Sequence, residues 1–385
     1  MSIKGAAFIA GAYEHPLRVI PDKSLAQVHA EVAAGALADA GLSFSDVDGL
    51  FTSSGPGFGN ISLADYLGLK LTYMDTTQTG GSGPVAHVGH AAAAIAAGKC
   101  KVALVTLAGL PRQAAANLVL GGPDDSPEGG FEGVYGTSIH GIYALAARRH
   151  MHEFGTTSEQ LAEVRVAAAL HASHNPNAMF QTPVTVEEVV NSPLISDPLH
   201  RLDCCVITDG GGAVVVVAPE VAASLDRHCI RVLGHGEAPK HIDNGRIDLT
   251  YSGARFSGPL AFAEAGVTPA DIDYVSIYDS FTITVVETLE DLGFCEKGKG
   301  GQFVLDGTLQ APFGKLPFNT DGGGLSNNHP ANQGGMTKVI EAVRQLRGEA
   351  NPGTQVPDAE IALAHGTGGF LGIRMGSVTL IMDRG

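Results

Sequence analysis

The sequence predicts a duplicated α/β fold, with two pseudo-symmetric mixed sheets stacked around a shared buried layer. Three observations predict it. Residues 36–50 (ALADAGLSFSDVDGL) recur as residues 261–275 (AFAEAGVTPADIDYV), at a constant offset of 225 and without a gap. Each copy is followed by the same order of strand, Gly-rich turn, helix and strand. The helix after the first turn is built from small residues, as a helix sandwiched between layers would be. Solenoid repeats are far shorter, so a single long repeat reads as one duplicated domain.

The elements follow in order. Each copy ends an Ala-rich helix at a C′ glycine, Gly41 or Gly266. Ser43 or Thr268 is then placed to cap the next turn, and Asp-Val-Asp or Asp-Ile-Asp leads into a strand. In the first half the strand near 47–51 precedes Gly80–Gly83, a helix over about 84–97 and a strand over 101–107. In the second, a strand over 274–278 precedes Gly322–Gly324, a helix over about 334–346 and a strand over 360–364. An apolar strand closes each half, at 213–217 and 377–382. The halves divide as residues 1–225 and 226–385, with a loop excursion over about 110–200 in the first. Its stretch from Gly121-Gly122-Pro123 onward is Gly-, Pro- and acid-rich, and Phe131, Tyr135 and Tyr143 are candidates to line a pocket beneath it.

Composition narrows the function. The chain has 385 residues, 44% hydrophobic and 17% charged, which is a folded balance. A net charge of −16 excludes a nucleic-acid binder and charge-driven attachment to anionic membranes. No apolar run reaches spanning length. The five cysteines, Cys100, Cys204, Cys205, Cys229 and Cys295, form no CxxC pair and show no metal-type spacing with histidine, so no metal site is expected. The odd count and the absence of an apolar leader at the N-terminus predict reduced thiols and a cytoplasmic location.

Four segments carry the chemistry-bearing residues, each in a loop after a strand, where α/β sites gather. They are Gly80-Gly81-Ser82-Gly83, Tyr278-Asp279-Ser280-Phe281, residues 319–330, and His365-Gly366-Thr367-Gly368-Gly369. The first opens the small-residue helix, whose N-terminal N–H groups and dipole suit an anion or a developing oxyanion. Each segment has a plainer reading. Gly80–Gly83 can be a tight turn, Tyr278 a core tyrosine, and Ser82 and Ser280 helix caps. His87, His90, His171 and His174 read as structural or surface histidines. His329, beside Pro330 in a Gly- and Asn-rich loop, and His365, at a Gly-rich strand exit, are harder to dismiss.

These segments resemble the motifs of the thiolase superfamily, and nearly the whole chain resembles its sterol-carrier or lipid-transfer type. The resemblance implies a five-layer α-β-α-β-α thiolase fold. Residues 323–330 match the segment that ends in Gly-His-Pro, with Asn328-His329-Pro330 in its place. There His329 would orient a thioester oxygen, with Asn328 beside it. Tyr278-Asp279-Ser280-Phe281 stands where the lipid-transfer branch often has His-Asp-Cys-Phe, and His365-Gly366-Thr367-Gly368 stands near the usual Cys-x-Gly. The resemblance makes His329, Tyr278, His365 and Ser280 the candidate catalytic residues. It assigns oxyanion and substrate contacts to Gly80, Gly81, Ser82, Gly368 and Asn328.

The departure is the nucleophile. Where thiolases place a cysteine at the helix start, this chain reads Thr79-Gly80-Gly81-Ser82-Gly83. Cys100, at the far end of the helix, would lie roughly 25–30 Å away. Without a thiol, the enolate-stabilising half of thiolase chemistry remains. The pattern is then similar to thiolase-like aldolases that shorten steroid side chains, whose motif is Tyr-Asp-x-Phe. That likeness implies retro-aldol cleavage of a bulky β-hydroxyacyl-CoA, with coenzyme A as part of the substrate and no tightly bound cofactor. It also implies a homodimer and a small partner subunit carrying a zinc ribbon and an OB fold. Two alternatives stand beside it: acyl transfer onto Ser82 or a differently placed cysteine, and a non-catalytic acyl-CoA-binding or scaffold subunit. Arg112, or the pair Arg148 and Arg149, are candidates for the coenzyme A phosphates.

Overall fold

The computed structural model describes residues 2–116, 135, 138–240, 246–371 and 373–385. Phe131 lies outside the described residues. The duplication is reproduced in backbone geometry. Gly41 ends helix α1 (Leu25–Ala40) at φ 71°, and Gly266 ends α5 (Ala254–Ala265) at φ 70°. This is the left-handed C′ position that glycine takes without strain. The following turns are built alike: the Ser43 N–H donates to the Asp46 carboxylate, and the Thr268 N–H to that of Asp271, both at 2.8 Å. Asp48 then accepts the Val102 N–H at 2.8 Å, and Asp273 accepts the Ile361 N–H at 2.9 Å. Each carboxylate fixes the start of the neighbouring parallel strand.

The strands are β1 (Phe8–Glu14), β2 (Gly49–Phe51), β3 (Tyr73–Asp75), β4 (Val102–Gly109), β5 (Leu194–Ser196), β6 (Leu199–His200), β7 (Gly210–Val217), β8 (Ile230–Lys240), β9 (Tyr274–Ile277), β10 (Ile361–Phe370) and β11 (Ile373–Asp383). Nine form one mixed sheet in the order β3-β2-β4-β7-β1-β8-β11-β10-β9, and β5 and β6 form a separate hairpin. The order reads outward symmetrically from the β1/β8 junction. An isolated parallel bridge between Val275 and Phe318 stands beyond β9 as β3 stands beyond β2. The two pseudo-symmetric sheets are thus hydrogen-bonded halves, joined through the pairs Phe8↔Arg231 and Ile9↔Ile230.

Between the halves lie α2 (Gly83–Ala96) and α7 (Gly335–Arg347), whose apolar residues share one core with residues of β4, β7, β10 and β11. On the outer faces, α1 packs on the first half through Val32, Ala36 and Leu37. Helices α5 and α6 (Thr282–Asp291) cover the second through Ala261, Phe262, Val285 and Leu289. The layers alternate α-β-α-β-α. The excursion contributes α3 (Ile139–Phe154) and α4 (Ser158–Ala172), which pack with α6. The central helices bring two N-termini toward one another: Gly81 O lies 2.2 Å from where a Cβ on Gly335 would stand.

Candidate active site

Tyr278 leaves β9 with its N–H bonded to His365 O at 2.9 Å. Its ring enters a slot with α2 on one side and the 319–330 segment on the other. A Cβ on Gly81 would lie 2.5 Å from Tyr278 Cζ, so only glycine admits the ring there. On the opposite side the His329 imidazole meets it edge-on, with centroids 5.3 Å apart and planes inclined by 63°. The hydroxyl donates to Ala331 O at 3.2 Å. Burial pushes the phenol well above its ordinary value, so the resting side chain is an O–H donor.

His329 is set by the segment that carries it. Gly322 and Gly323 take φ of 100° and 60°, turning the chain into a single wide π-helical turn over Gly323–Asn327. Asp279, beside Tyr278, caps that turn, accepting from the N–H groups of Gly324 at 2.8 Å and Leu325 at 3.0 Å. Lys338 Nζ on α7 donates to the same carboxylate at 2.8 Å, and both side chains are buried. The Thr208 hydroxyl accepts the His329 N–H at 2.9 Å. The imidazole Nε2 is enclosed without a hydrogen-bond partner among the described residues. Burial lowers its pKa to about 4, so it is neutral near pH 7. A neutral ring with one free nitrogen can offer one hydrogen bond to a thioester oxygen.

The N-terminus of α2 forms the floor. Gly80 takes φ 63°, and a Cβ there would lie 2.8 Å from Gly369 N and 2.9 Å from Gly368 Cα. A Cβ on Gly368 would fall 1.6 Å from Thr79 O. Helix and strand therefore meet backbone to backbone, and position 80 has no room for a side chain. The Gly80 N–H is held by Gln78 Oε1 at 3.1 Å. Ser82 is not a cap: its hydroxyl turns back to Thr79 O at 2.7 Å and to Thr79 Oγ1 at 3.1 Å.

Three expected site residues are placed elsewhere. His365 lies on the face of β10 turned away from α2, because strand side chains alternate and Gly366 and Gly368 face inward. Its ring bonds Thr379 Oγ1 at 2.9 Å and Ser377 Oγ at 3.3 Å, in a hydroxyl cluster with Ser257 of α5. The catalytic expectation for His365 is corrected accordingly. The Ser280 hydroxyl pairs with that of Thr284 at 3.1 Å, while Phe281 holds the N-cap position without a side-chain cap bond. The cap expectation for Ser280 is not met. The Asn328 carboxamide bonds Glu14 at 2.7 Å through Nδ2 and the Thr208 hydroxyl at 2.7 Å through Oδ1, so it positions the turn.

Residues that sequence reasoning passed over complete the site. Asp279 was visible inside the Tyr-Asp-Ser-Phe motif, and Lys338 as the one basic residue early in an apolar helix. Nothing local in the sequence marks Glu14 and Arg18, although the Arg18 guanidinium bonds Glu14 and Asn327 at 2.8 Å each.

Two cavities flank the centre. One, of about 680 Å³, is lined by Arg112, Arg165 and Arg201, by Cys204–Ile207 and by Leu325. The other, of about 510 Å³, is floored by Thr79, Gly80, Gly368 and Gly369. Arg148 and Arg149 line neither arginine pocket nor floor; they pair with Asp197 and Glu153. Tyr143 stacks on Phe281 at 4.2 Å, and Tyr135 is exposed. Burial holds every cysteine as a thiol, Cys100, Cys204 and Cys295 being pushed up to about 12 and Cys205 and Cys229 also upward.

Comparison with known proteins places this arrangement. Residues 236–384 match the family described as thiolase C-terminal domain-like. The 17-hydroxy-3-oxo-4-pregnene-20-carboxyl-CoA lyase of Mycobacterium tuberculosis is 35% identical over 366 residues, covering 91% of this chain and 94% of the lyase. An acetyl-CoA acetyltransferase of Methanothermobacter thermautotrophicus is 42% identical over 245 residues, a match spanning 62% of each chain. The solved structure of an Ltp2-ChsH2(DUF35) aldolase superimposes with a TM-score of 0.89 at 33% identity, covering 99% of this chain and 98% of that one.

Proposed function

Since the chain belongs to the thiolase superfamily, in its sterol-carrier-type, aldolase-like branch, we propose that it cleaves a β-hydroxyacyl-CoA by a retro-aldol reaction without a covalent acyl-enzyme. The hydroxyl proton leaves the β-carbon oxygen, the α–β bond breaks, and its electron pair enters the thioester as an enolate. Protonation at the α-carbon then gives a shortened acyl-CoA and a ketone or aldehyde. The proton balance closes within the substrate: the Tyr278 hydroxyl hands its proton to the α-carbon as its oxygen takes up the β-hydroxyl proton, so one phenol suffices.

The observation that carries this reading is the Tyr278 ring seated over Gly81, where no side chain from the turn leading into α2 can stand. His329 Nε2 supports an oxyanion role, being buried without another hydrogen-bond partner among the described residues. Tyr278, protonated at rest, is the proton donor to the developing enolate. Gly80 and Gly368 supply close backbone approach to the acyl group. Acyl transfer lacks an acceptor by comparison, because the Ser82 hydroxyl is spent on Thr79 and the thiols are held protonated. We assign the coenzyme A end to the arginine-lined cavity, with Arg112 and Arg201 toward its phosphates.

The substrate class we infer is a steroid side-chain acyl-CoA, after the M. tuberculosis lyase. A partner of the DUF35 kind, carrying a zinc ribbon and OB fold, and a homodimer of two-domain subunits divided near residue 225 belong to the same reading. A cytoplasmic enzyme fits a chain in which no described helix is long and apolar enough to cross a membrane. The test is turnover of β-hydroxy- and β-ketoacyl-CoA panels by the chain alone and with its co-purified partner. Mass spectrometry after acyl-CoA incubation accompanies it. Retro-aldol products without an acylated peptide are expected; a covalent acyl adduct on the chain overturns the reading.

A further inference from the structure

A second cluster of chemistry-bearing side chains lies one to two turns along α2 from the site, on its far side from Tyr278. His87 and His90 are three residues apart and so share a helix face. Asp75, at the end of the edge strand β3, faces both. Its Oδ2 lies 2.7 Å from His90 Nδ1 and 3.7 Å from His87 Nδ1, the latter too long for a hydrogen bond. One donor atom from each of the three falls within 4.8 Å of the others.

Three features argue against an ordinary histidine–aspartate contact. His87 is fully buried, yet neither ring nitrogen has a hydrogen-bond partner among the described residues. Leaving such groups unmatched costs about 1–3 kcal/mol each, and proteins rarely accept it without a use. Asp75 is held for a task by its second oxygen, which accepts the Thr77 N–H at 2.9 Å and the Thr77 hydroxyl at 2.8 Å. His90 is braced from behind, its Nε2 against Glu237 Oε2 of β8 at 2.8 Å. A carboxylate on the outer nitrogen is how metal-ligating imidazoles are usually oriented.

We propose that Asp75, His87 and His90 form a divalent transition-metal site of the zinc class, with Glu237 positioning His90. Two imidazoles and one carboxylate match such ions; magnesium and calcium take all-oxygen sites. Ligand bonds of about 2.0–2.1 Å in a tetrahedron put donors about 3.4 Å apart. The Asp75–His90 contact then opens by about 0.7 Å, Asp75–His87 closes by about 0.3 Å, and the His87–His90 pair, within 4.8 Å, closes by up to about 1.4 Å, through side-chain rotation. The fourth position opens to a surface groove of about 480 Å³ beside Tyr73 and Lys99, which gives the ion a route in. A bound ion ties strand β3 to the helix whose first turn floors the site. The expectation of no metal site, drawn from cysteine spacing, missed it because its ligands come from a strand and a helix more than ten residues apart.

The inference stands apart from the proposed activity and is tested without it. The full-length protein, stripped with chelator, is equilibrated with Zn²⁺ or Co²⁺, desalted and assayed by elemental mass spectrometry and visible absorption. About one ion per chain and a cobalt d–d band are expected, with binding weakened at least tenfold in Asp75→Asn and in His90→Gln. Zn²⁺ raises the melting temperature of the wild type and not of Asp75→Asn. Both substitutions fall at partly exposed positions, so the test survives if His87→Asn does not fold. Less than half an equivalent on the wild type, or binding that neither substitution weakens, overturns the site.

Discussion

The Tyr278 ring stands edge-on to the His329 imidazole, 5.3 Å between centroids, with its hydroxyl on the carbonyl of Ala331, two residues past the histidine. The proton donor and the oxyanion donor we propose are thereby set by one contact. Tyr278→Phe keeps the ring packing and deletes only the hydroxyl. We expect retro-aldol turnover to fall by about 10²–10⁴, while the lost neutral hydrogen bond costs stability about 1 kcal/mol. Steady-state release of the carbonyl product and a melting curve separate the two effects; undiminished turnover removes Tyr278 from the reaction.

The pH profile reports which form of Tyr278 works. Burial raises its pKa, so the O–H form persists through neutral pH and is lost only as pH climbs past the raised value. A donor role predicts kcat flat from about pH 7 to 9. A rate rising tenfold per unit over that range would instead mean that the phenolate is the working form.

Acid should act through the buried histidines in a definite window. Burial lowers His29, His171 and His329 to about 4 and His365 to about 3. Their unfolded counterparts titrate near 6.5. Between those values the unfolded chain binds more protons at these sites, so their contribution to stability falls as pH drops from about 6.5 toward 4. Glu287 and Glu341, raised by burial, and His90, raised to about 9, act in the opposite sense, so the contribution is read by difference. The stability gap between the wild type and His29→Gln, from denaturant midpoints at stepped pH, should shrink as pH falls from about 6.5 to 4. A gap that stays constant across the acidic window would contradict it.

Restoring a cysteine at the helix start should not restore a thiolase. Gly80→Cys puts a Cβ at φ 63° and 2.8 Å from Gly369 N. Left-handed strain alone costs about 1–3 kcal/mol, and β10 must shift besides. The expected outcome is a lower melting temperature and no acyl-enzyme on incubation with acetyl-CoA, read by intact-protein mass.

Asp279 and Lys338 form a buried pair that holds the His329 turn. Lys338→Met strands the carboxylate, and breaking such a pair costs about 3–5 kcal/mol. Asp279→Asn in the same chain removes the orphaned charge and keeps one acceptor oxygen, for either the Gly324 or the Leu325 N–H. Chemical unfolding of both single variants and the double should show partial recovery in the double. Additive losses would mean the pair does not act as a unit.

The repeat told most about the fold because it is written in local chemistry. A C′ glycine, a capping hydroxyl and an Asp-x-Asp turn act within a dozen residues, and their geometry matches in both halves. Strands β1 and β8, which join the halves, left no such mark. Their glycines interrupt any alternation, because helices press on them: a Cβ on Gly11 would meet Ala36 O at 2.0 Å, and one on Gly236 would meet Ser257 O at 1.9 Å. In the site, Tyr278 and His329 were legible as motif residues, whereas the direction of His365 depends on strand parity, which one residue of register reverses. The clasp of Glu14, Arg18 and Asn328 joins segments some 300 residues apart and has no local signature.

The glycine seam between residues 80–81 and 366–369 also bears on how this site can change. A side chain regained on the helix collides with strand backbone, one added to the strand collides with helix backbone, and Tyr278 already fills the gap over Gly81. A covalent mechanism therefore lies several coordinated substitutions away, each harmful taken alone. The seam works as a ratchet, and descendants of this chain should diversify in their acyl pockets and partners while the non-covalent chemistry stays locked.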